Sequence, residues 1–264
     1  MAPRIGVFDS GFGGLTVLRE LKNRLPTADY LYFGDTAHLP YGAKSVRTVA
    51  KYAIASARFL EERGIDLLVI ACNTATALAL DDIKSSVKIP VIGVVEPGAE
   101  RAASKSKSGR AAVIATEATV ASHAYSRALE RLGLKATEKA CPLFVPLVEE
   151  GWVEHPVTER VAHVYMDEVF SNGGPYPDVL LLGCTHYPLI RPLLRRVVPQ
   201  HIEIVDSAES TAAKVVAQLG SAASSGESGQ LHCYATDSTE KFRRLGEKFL
   251  GCPIPNIELV DIEH

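Results

Sequence analysis

Short apolar runs recur along the chain, and segments with helical spacing separate them. The nine runs are 5–8, 30–33, 67–70, 91–94, 112–115, 179–182, 203–205, 231–234 and 257–260. Several are continuous Val, Ile and Leu without polar alternation, which is typical of parallel strands that are covered on both faces. Between two of the runs, apolar residues from Val46 to Leu60 follow helical spacing until Gly64 ends the pattern. The alternation predicts an α/β fold with parallel sheets.

Composition narrows the class of protein further. The chain has 264 residues, of which 47% are hydrophobic, enough for one or two domains with a sizeable core. A net charge of −3 argues against nucleic acid or an anionic membrane as a partner. No apolar run approaches the roughly 18 residues that a membrane span needs, and the first residues do not resemble a signal peptide. We therefore expect a cytoplasmic protein.

Cysteine usage indicates free thiols. The five cysteines stand at 72, 141, 184, 233 and 252, an odd number without any C-x-x-C pair. Such spacing is a poor disulfide framework, and a reducing compartment would keep the thiols free. Cys184 and His186 are the closest candidate metal ligands, but no second ligand pair accompanies them, so we predict no metal site.

Turn-forming residues mark the loops and a possible boundary. The segments 171–178 and 221–229 are rich in Gly, Pro, Ser and Asn, which predicts loops. The basic stretch 104–110 is interpreted as a solvated helix end. Glu96-Pro97-Gly98 interrupts the alternation, so a second unit is expected to begin there. Asp237 and Glu240 form the pattern of a capping box at a helix start.

Four predicted strands end directly in polar residues. Asp9-Ser10, Cys72-Asn73-Thr74, Thr116 and Cys184-Thr185-His186 each follow an apolar run. In open parallel sheets, ligands bind outside the carboxyl ends of the strands. The contexts of Cys72 and Cys184 also match each other, since a small residue precedes and polar residues follow each thiol. We infer two half-related lobes whose strand ends face one cleft.

Two thiols in one cleft limit the chemistry. One cysteine with a histidine fits nucleophilic catalysis, which leaves the second thiol idle. Two thiols on opposite sides of one carbon fit racemisation, in which a thiolate removes a proton and the other thiol returns one to the opposite face. Taken singly, each of these two cysteines is also compatible with core packing, and so is His186. Cys141, Cys233 and Cys252 are assigned to core packing.

Nearby polar groups suit such a reaction. Asp9 and His186 are the natural proton partners of Cys72 and Cys184, although Asp9 is also placed to cap the next helix. Hydroxyl and amide donors of Asn73, Thr74 and Thr185 would stabilise negative charge on a substrate carboxylate. The glycines of "DSGFGG" offer backbone amides to an anion, whereas a dinucleotide motif and a Walker motif are absent. No lysine stands at the four strand ends, which argues against pyridoxal phosphate.

Several longer motifs resemble the cofactor-independent bacterial glutamate racemases. They are "GVFDSGFGGLTVL" (6–18), "YFGDTAHLPYG" (32–42), "VIACNTATA" (69–77), "GVVEPGA" (93–99), "CPLFVPLVEEG" (141–151), "LLGCTHYPLI" (181–190) and "VDSAE" (205–209). The matches span residues 6–209 and favour the glutamate branch of the aspartate/glutamate racemase superfamily.

The resemblance implies two Rossmann-like lobes with the active site in the cleft between them. It assigns 1–96 plus 207–264 to an N-terminal lobe with a returning tail, and 97–206 to a second lobe. It implies that Cys72 acts on D-glutamate and Cys184 on L-glutamate, assisted by Asp9 and His186. The implied substrate-binding residues are Ser10, Pro40, Tyr41, Gly42, Asn73, Thr74, Thr116, Thr119, Glu150 and Thr185. Of the acidic pair Glu149-Glu150, Glu150 is the residue expected to reach the site.

The same resemblance implies a cytosolic homodimer without metal or cofactor that supplies D-glutamate for peptidoglycan. Three alternatives stay open at the level of the sequence. The first is a racemase for aspartate or a related amino acid, and the second is a Cys–His hydrolase. The third is an amino-acid-binding module without catalysis. The role of the segment after Glu209 also stays open.

Overall fold

A computed structural model describes residues 2–170, 176–220 and 228–262 of the chain. The described residues form ten strands, all paired in parallel. The strands are β1 Arg4–Asp9, β2 Asp29–Gly34, β3 Leu67–Ile70, β4 Val91–Gly93, β5 Arg110–Ala115, β6 Lys135–Ala140, β7 Val179–Gly183, β8 Glu203–Asp206, β9 Leu231–Ala235 and β10 Ile257–Leu259.

Helices follow most of the strands. The α-helices are α1 Leu15–Arg24, α2 Val46–Glu61, α3 Asn73–Ser86, α4 Val95–Lys105, α5 Glu117–Ala121, α6 Ala124–Arg131, α7 Phe144–Glu149, α8 Pro156–Phe170, α9 Arg191–Val197, α10 Ala208–Leu219 and α11 Thr239–Leu250. Two 3₁₀ helices cover Tyr41–Ala43 and Tyr187–Ile190. The predicted α/β class with parallel sheets is confirmed.

The strands form two separate sheets. The first sheet has the order β10-β9-β2-β1-β3-β4, and the second has the order β6-β5-β7-β8. The first sheet thus combines strands from both ends of the chain, whereas the strands of the second sheet all come from residues 110–206. The segment beyond residue 230 therefore belongs structurally with the N-terminal strands.

Apolar side chains cover both faces of the central strands. In β1, Ile5 and Val7 join the core that contains α1 and α11, whereas Phe8 joins the core beneath α2 and α3. A strand that is buried on both faces needs apolar residues at consecutive positions, which explains its continuous apolar run. The register aligns Phe8 with Phe33 and Ile70, so β1, β2 and β3 end at the same edge.

All nine predicted runs coincide with strands, although their ends differ by one or two residues. The strand β6 was missed because it is a partly exposed edge strand with charged residues. The predicted helix from Val46 is confirmed as α2. The loop predictions at 171–178 and 221–229 lie largely outside the described residues.

Three smaller expectations need comment. Glu96-Pro97-Gly98 does not interrupt the alternation but forms the first turn of α4, where proline is tolerated. The expected boundary at 96/97 therefore falls inside a helix. The cap of α11 is Ser238, whose Oγ accepts from the amide of Lys241 at 3.3 Å, so the capping role expected of Asp237 is wrong. The stretch 104–110 does lie at the end of α4, where Ser106 and Ser108 bind Asp178.

Candidate active site

The carboxyl ends of the two sheets meet at one narrow cleft. Its cavity volume is small, about 30 Å³. The lining residues are Ser10, Gly11, Leu39, Pro40, Tyr41, Gly42, Cys72, Asn73, Thr74, Thr116, Val145, Glu149, Cys184, Thr185 and His186. Both thiols that were singled out from the sequence thus lie in the same cleft, at 5% and 7% exposure.

Two glycines allow the two sides of the cleft to approach closely. A Cβ atom at Gly13 would lie 2.6 Å from Nδ1 of His186, and one at Gly42 would lie 2.7 Å from Cβ of Thr116. Any larger residue at either position would force the strand ends apart. Gly13 and Gly42 therefore serve close packing between the two sides.

Cys72 sits between the end of β3 and the start of α3. As the N-cap residue, its Sγ accepts a hydrogen bond from the amide of Ala75 at 3.4 Å. Its thiol donates to Oγ of Ser10 at 3.6 Å. The helix cap and the strand end together fix the position of this sulfur.

Burial raises the pKa of the Cys72 thiol to about 12, and the nearby carboxylate of Asp9 adds to this rise. Asp9 is itself fully buried, and burial raises its pKa although the charge of His186 opposes the shift. Its Oδ2 accepts from the amide of Gly11 at 3.0 Å, while Oδ1 has no hydrogen-bond partner among the described residues. Cys72 is therefore a protonated thiol at neutral pH.

Cys184 has a different environment. Its Sγ lies 4.0 Å from Nδ1 of His186, and Nε2 of the same ring lies 3.2 Å from Oε1 of Glu149. Burial lowers the pKa of His186, but the interactions with Cys184 and Glu149 outweigh this and raise it to about 10. His186 is therefore an imidazolium at neutral pH, and it places a positive charge beside the sulfur of Cys184.

Polar side chains line the remainder of the cleft. The hydroxyls of Thr74, Thr116 and Thr119 form a triangle with O···O distances of 2.9, 3.1 and 2.9 Å. The hydroxyl of Tyr125 donates to Oδ1 of Asn73 at 2.5 Å, which directs the amide group. Nδ2 of Asn73 is buried without a partner in the described part of the chain, so it is a donor available to a ligand.

The segment 39–42 contains a cis peptide bond before Pro40 and leads into a 3₁₀ helix. The hydroxyl of Tyr41 donates to Oδ2 of the buried Asp35 at 2.6 Å. This bond anchors Tyr41 so that the segment forms one wall of the cleft.

Most residues expected in the site line the cleft, and three do not. Asp9 lies buried beneath it, and Thr119 lies behind Thr74 and Thr116. The preference for Glu150 over Glu149 is wrong, because Glu150 is exposed while Glu149 lines the cleft. Val145 and Glu149 are four residues apart in α7 and therefore share the face that lines the cleft.

The remaining cysteines are not part of the cleft. Cys141 and Cys233 are buried in the core, as expected, but Cys252 is exposed, so its assignment to core packing is wrong. All five cysteines are free thiols. In the described part of the chain, no group of three potential metal ligands occurs. Nor does any described helix have the length and apolar character of a membrane span.

Sequence comparison identifies the family. A family model described as Asp/Glu/Hydantoin racemase matches residues 5–215, and the chain belongs to this family of isomerases. The relatives that it resembles in particular are glutamate racemases. The one from Koribacter versatilis (strain Ellin345) is 56% identical, with 98% of each chain covered. The resemblance inferred from the motifs is thus confirmed.

Solved structures agree with this assignment. A glutamate racemase from Bacillus anthracis superposes with a TM-score of 0.92 at 33% identity, covering 98% of this chain and 97% of that one. A glutamate racemase from Francisella tularensis, solved in complex with D-glutamate, gives a TM-score of 0.90 at 34% identity with the same coverage. The fold and its two-sheet architecture are therefore those of glutamate racemases.

Proposed function

We propose that this chain interconverts L- and D-glutamate without a cofactor, through Cys72 and Cys184, and so supplies D-glutamate for peptidoglycan. One observation carries the proposal: two thiols from different sheets line one cleft, and their charged partners have opposite signs. The relatives named above support glutamate as the substrate over aspartate.

The reaction transfers protons only. The thiolate of Cys184 takes the α-proton of L-glutamate and becomes a thiol, which leaves the electron pair on the α-carbon. The thiol of Cys72 then gives its proton to the opposite face and becomes a thiolate, so D-glutamate results. The reverse reaction exchanges the two roles, and proton exchange with solvent restores the starting state. His186 and Asp9 assist the nearest thiol in each direction.

The polar groups of the cleft fit the substrate. Nδ2 of Asn73 and the hydroxyls of Thr74 and Thr185 supply donors to the α-carboxylate, where negative charge grows when the α-proton leaves. The remaining cleft residues proposed to bind glutamate are Ser10, Pro40, Tyr41, Gly42 and Thr116, with Thr119 supporting two of the hydroxyls. Glu149 replaces Glu150 in this set.

The experiment uses each glutamate enantiomer in deuterated water without added cofactor. Wild type should place deuterium at the α-carbon of the product. Cys72→Ser and Cys184→Ser should each lower the rate of racemisation by about 10²- to 10⁴-fold, because each removes one proton carrier. Cys252→Ser is the matched control, since it makes the same change at an exposed thiol.

The outcomes separate the alternatives. Racemisation that survives either active-site substitution contradicts the two-thiol scheme. A covalent acyl-enzyme, with one of the two thiols dispensable, would indicate a Cys–His hydrolase. Binding of glutamate without any exchange of the α-proton indicates a binding module. A parallel series with L- and D-aspartate tests the substrate, and faster turnover of aspartate would contradict the choice of glutamate.

The wider setting belongs to the same proposal. Free cysteines favour the reducing cytosol, which keeps both catalytic sulfurs reduced. The resemblance to glutamate racemases supports a homodimer, which analytical ultracentrifugation would test. We also propose two lobes, 1–96 plus 207–264 and 97–206. Sheet membership supports this division, although the first boundary fits better before α4, which packs on the second sheet.

A further inference from the structure

The C-terminal helix α11 reaches the cleft from the side of the first sheet. Nζ of Lys241 lies 3.9 Å from Oε2 of Glu149, which belongs to α7 on the side of the second sheet. The other oxygen of that carboxylate, Oε1, lies 3.2 Å from Nε2 of His186. One carboxylate therefore contacts a lysine of the returning segment and the histidine beside Cys184.

The helix does not depend on Lys241 for its own packing. Phe242, Leu245 and Phe249 are buried and attach α11 to the core, and the ring of Phe249 makes an edge contact with His186 at 5.1 Å between centroids. The side chain of Lys241 is 45% exposed, compared with 16% for Glu149. A change at Lys241 should therefore leave the helix in place.

From this geometry we propose that Lys241 is a positioning residue for the Cys184 side of the site, because it holds Glu149 against His186. The inference rests on the proposed function, since His186 is taken to assist Cys184. The charged or titratable groups that face His186 are Cys184, Glu149 and Asp9, with Lys241 behind Glu149. Among these groups, Glu149 has a partner on another element, Lys241 of α11. Lys241 does not line the cleft, so it can be replaced without changing the cleft lining.

Two effects of removing Lys241 have opposite signs. If Lys241 acts only through its charge, its loss removes a cation near His186 and raises the pKa of the imidazole. If Lys241 holds Glu149 in place, its loss lets the carboxylate move into solvent, and the pKa of His186 falls. The sign of the change therefore separates a positioning role from a bystander charge.

The experiment compares the full-length wild type with Lys241→Met and Lys241→Arg. The His186 titration is followed by nitrogen-detected NMR of the imidazole, and kcat and KM are measured with both glutamate enantiomers. For Lys241→Met we expect kcat to fall about two- to fivefold and the His186 pKa to fall by about half a pH unit, as suits a partly exposed ion pair. KM should change less than kcat, and Lys241→Arg should restore both values.

Lys248→Met is the matched control, because Lys248 lies on the same helix and pairs with no carboxylate among the described residues. An unchanged or raised His186 pKa in Lys241→Met would overturn the proposal, as would failure of Lys241→Arg to restore it. The NMR result does not depend on turnover. If wild type fails to racemise glutamate, the proposed function falls while the titration still decides the role of Lys241.

Discussion

Cys72 and Cys184 follow the same local pattern, yet their surroundings are opposite in charge. Each ends a buried strand after a small residue and precedes polar side chains. The buried carboxyl of Asp9 stands near Cys72, whereas the imidazolium of His186 stands beside Cys184. The local sequence thus places the two sulfurs, and the charged groups beside them differ in origin. Asp9 comes from another strand, whereas His186 follows Cys184 by two residues and is held by Glu149 of α7.

This asymmetry suits a reaction that needs one acid and one base at the same time. If both thiols were protonated, neither would remove an α-proton, and if both were thiolates, neither would return one. Burial and Asp9 favour a protonated thiol at Cys72, whereas the cation of His186 stands beside Cys184. On the proposed assignment, the resting enzyme is therefore prepared for L-glutamate.

The largest expected effect comes from removing the two helpers in turn. His186→Gln and Asp9→Asn should each lower kcat by about 10²-fold, in the range of a lost acid–base group, with smaller changes in KM. The two glutamate enantiomers are equally stable, so each substitution must change kcat/KM by the same factor in both directions. Isotope effects are therefore needed to tell the Cys72 side of the cleft from the Cys184 side.

His186→Gln should increase the primary isotope effect with α-deuterated L-glutamate, because it impairs Cys184. Asp9→Asn should do so with D-glutamate, because it impairs Cys72. Wild type measured in the same assay is the control. Equal isotope effects for both enantiomers in both variants would remove the distinction between the two sides of the cleft.

A second effect of intermediate size concerns thiol reactivity. Because a thiolate is the nucleophile, iodoacetamide at pH 7 should alkylate Cys184 about tenfold faster than Cys72, whose pKa is raised to about 12. Peptide mapping by mass spectrometry gives both rates. A Cys252→Ser background removes the exposed thiol that would otherwise react first. Faster alkylation of Cys72 would reverse the comparison.

The smallest expected effect is on stability. The folded pKa of His186 is raised from 6.5 to about 10, so its contribution to stability is fully present below about pH 6.5 and is lost as pH rises through 10. Glu149→Gln weakens this pairing. The fall in the free energy of unfolding between pH 7 and pH 10 should therefore be about 1 kcal/mol smaller than in wild type.

Urea unfolding at the two pH values measures this difference. Glu150→Gln is the matched control, because it changes the same group at the neighbouring exposed position. The variants share the titration of Cys72 and the other buried thiols, so the comparison isolates His186. A pH dependence in Glu149→Gln equal to that of wild type would show that Glu149 does not hold the imidazolium.

The sequence predicted the strands of the sheets better than it predicted which face each helix turns towards its neighbours. Central strands such as β3 and β7 are buried on both faces, so apolar continuity alone revealed them. The edge strand β6 escaped because one side faces solvent and its charged residues resemble a loop. The order of strands in the first sheet depends on pairing between residues about 200 positions apart, which no local pattern contains.

The site was predictable where residues follow strand ends. Ser10, Cys72, Asn73, Cys184 and Thr185 were found in this way, because parallel strands that end together bring such residues into one cleft. Glu149 depends instead on the rotation of a short helix, where a shift of one residue turns the side chain by about 100°. Lys241 depends on how the C-terminal segment returns, and the sequence carries no signal for that.

The strand order of the first sheet also constrains how the protein assembles during synthesis. Strand β2 pairs with β9, which the ribosome adds about 200 residues later, whereas the second sheet is complete once residue 206 has emerged. The sheet translated first is therefore finished last. A nascent chain that stalls before β9 would therefore present an unpaired edge at β2, although every residue that lines the cleft has already been synthesised.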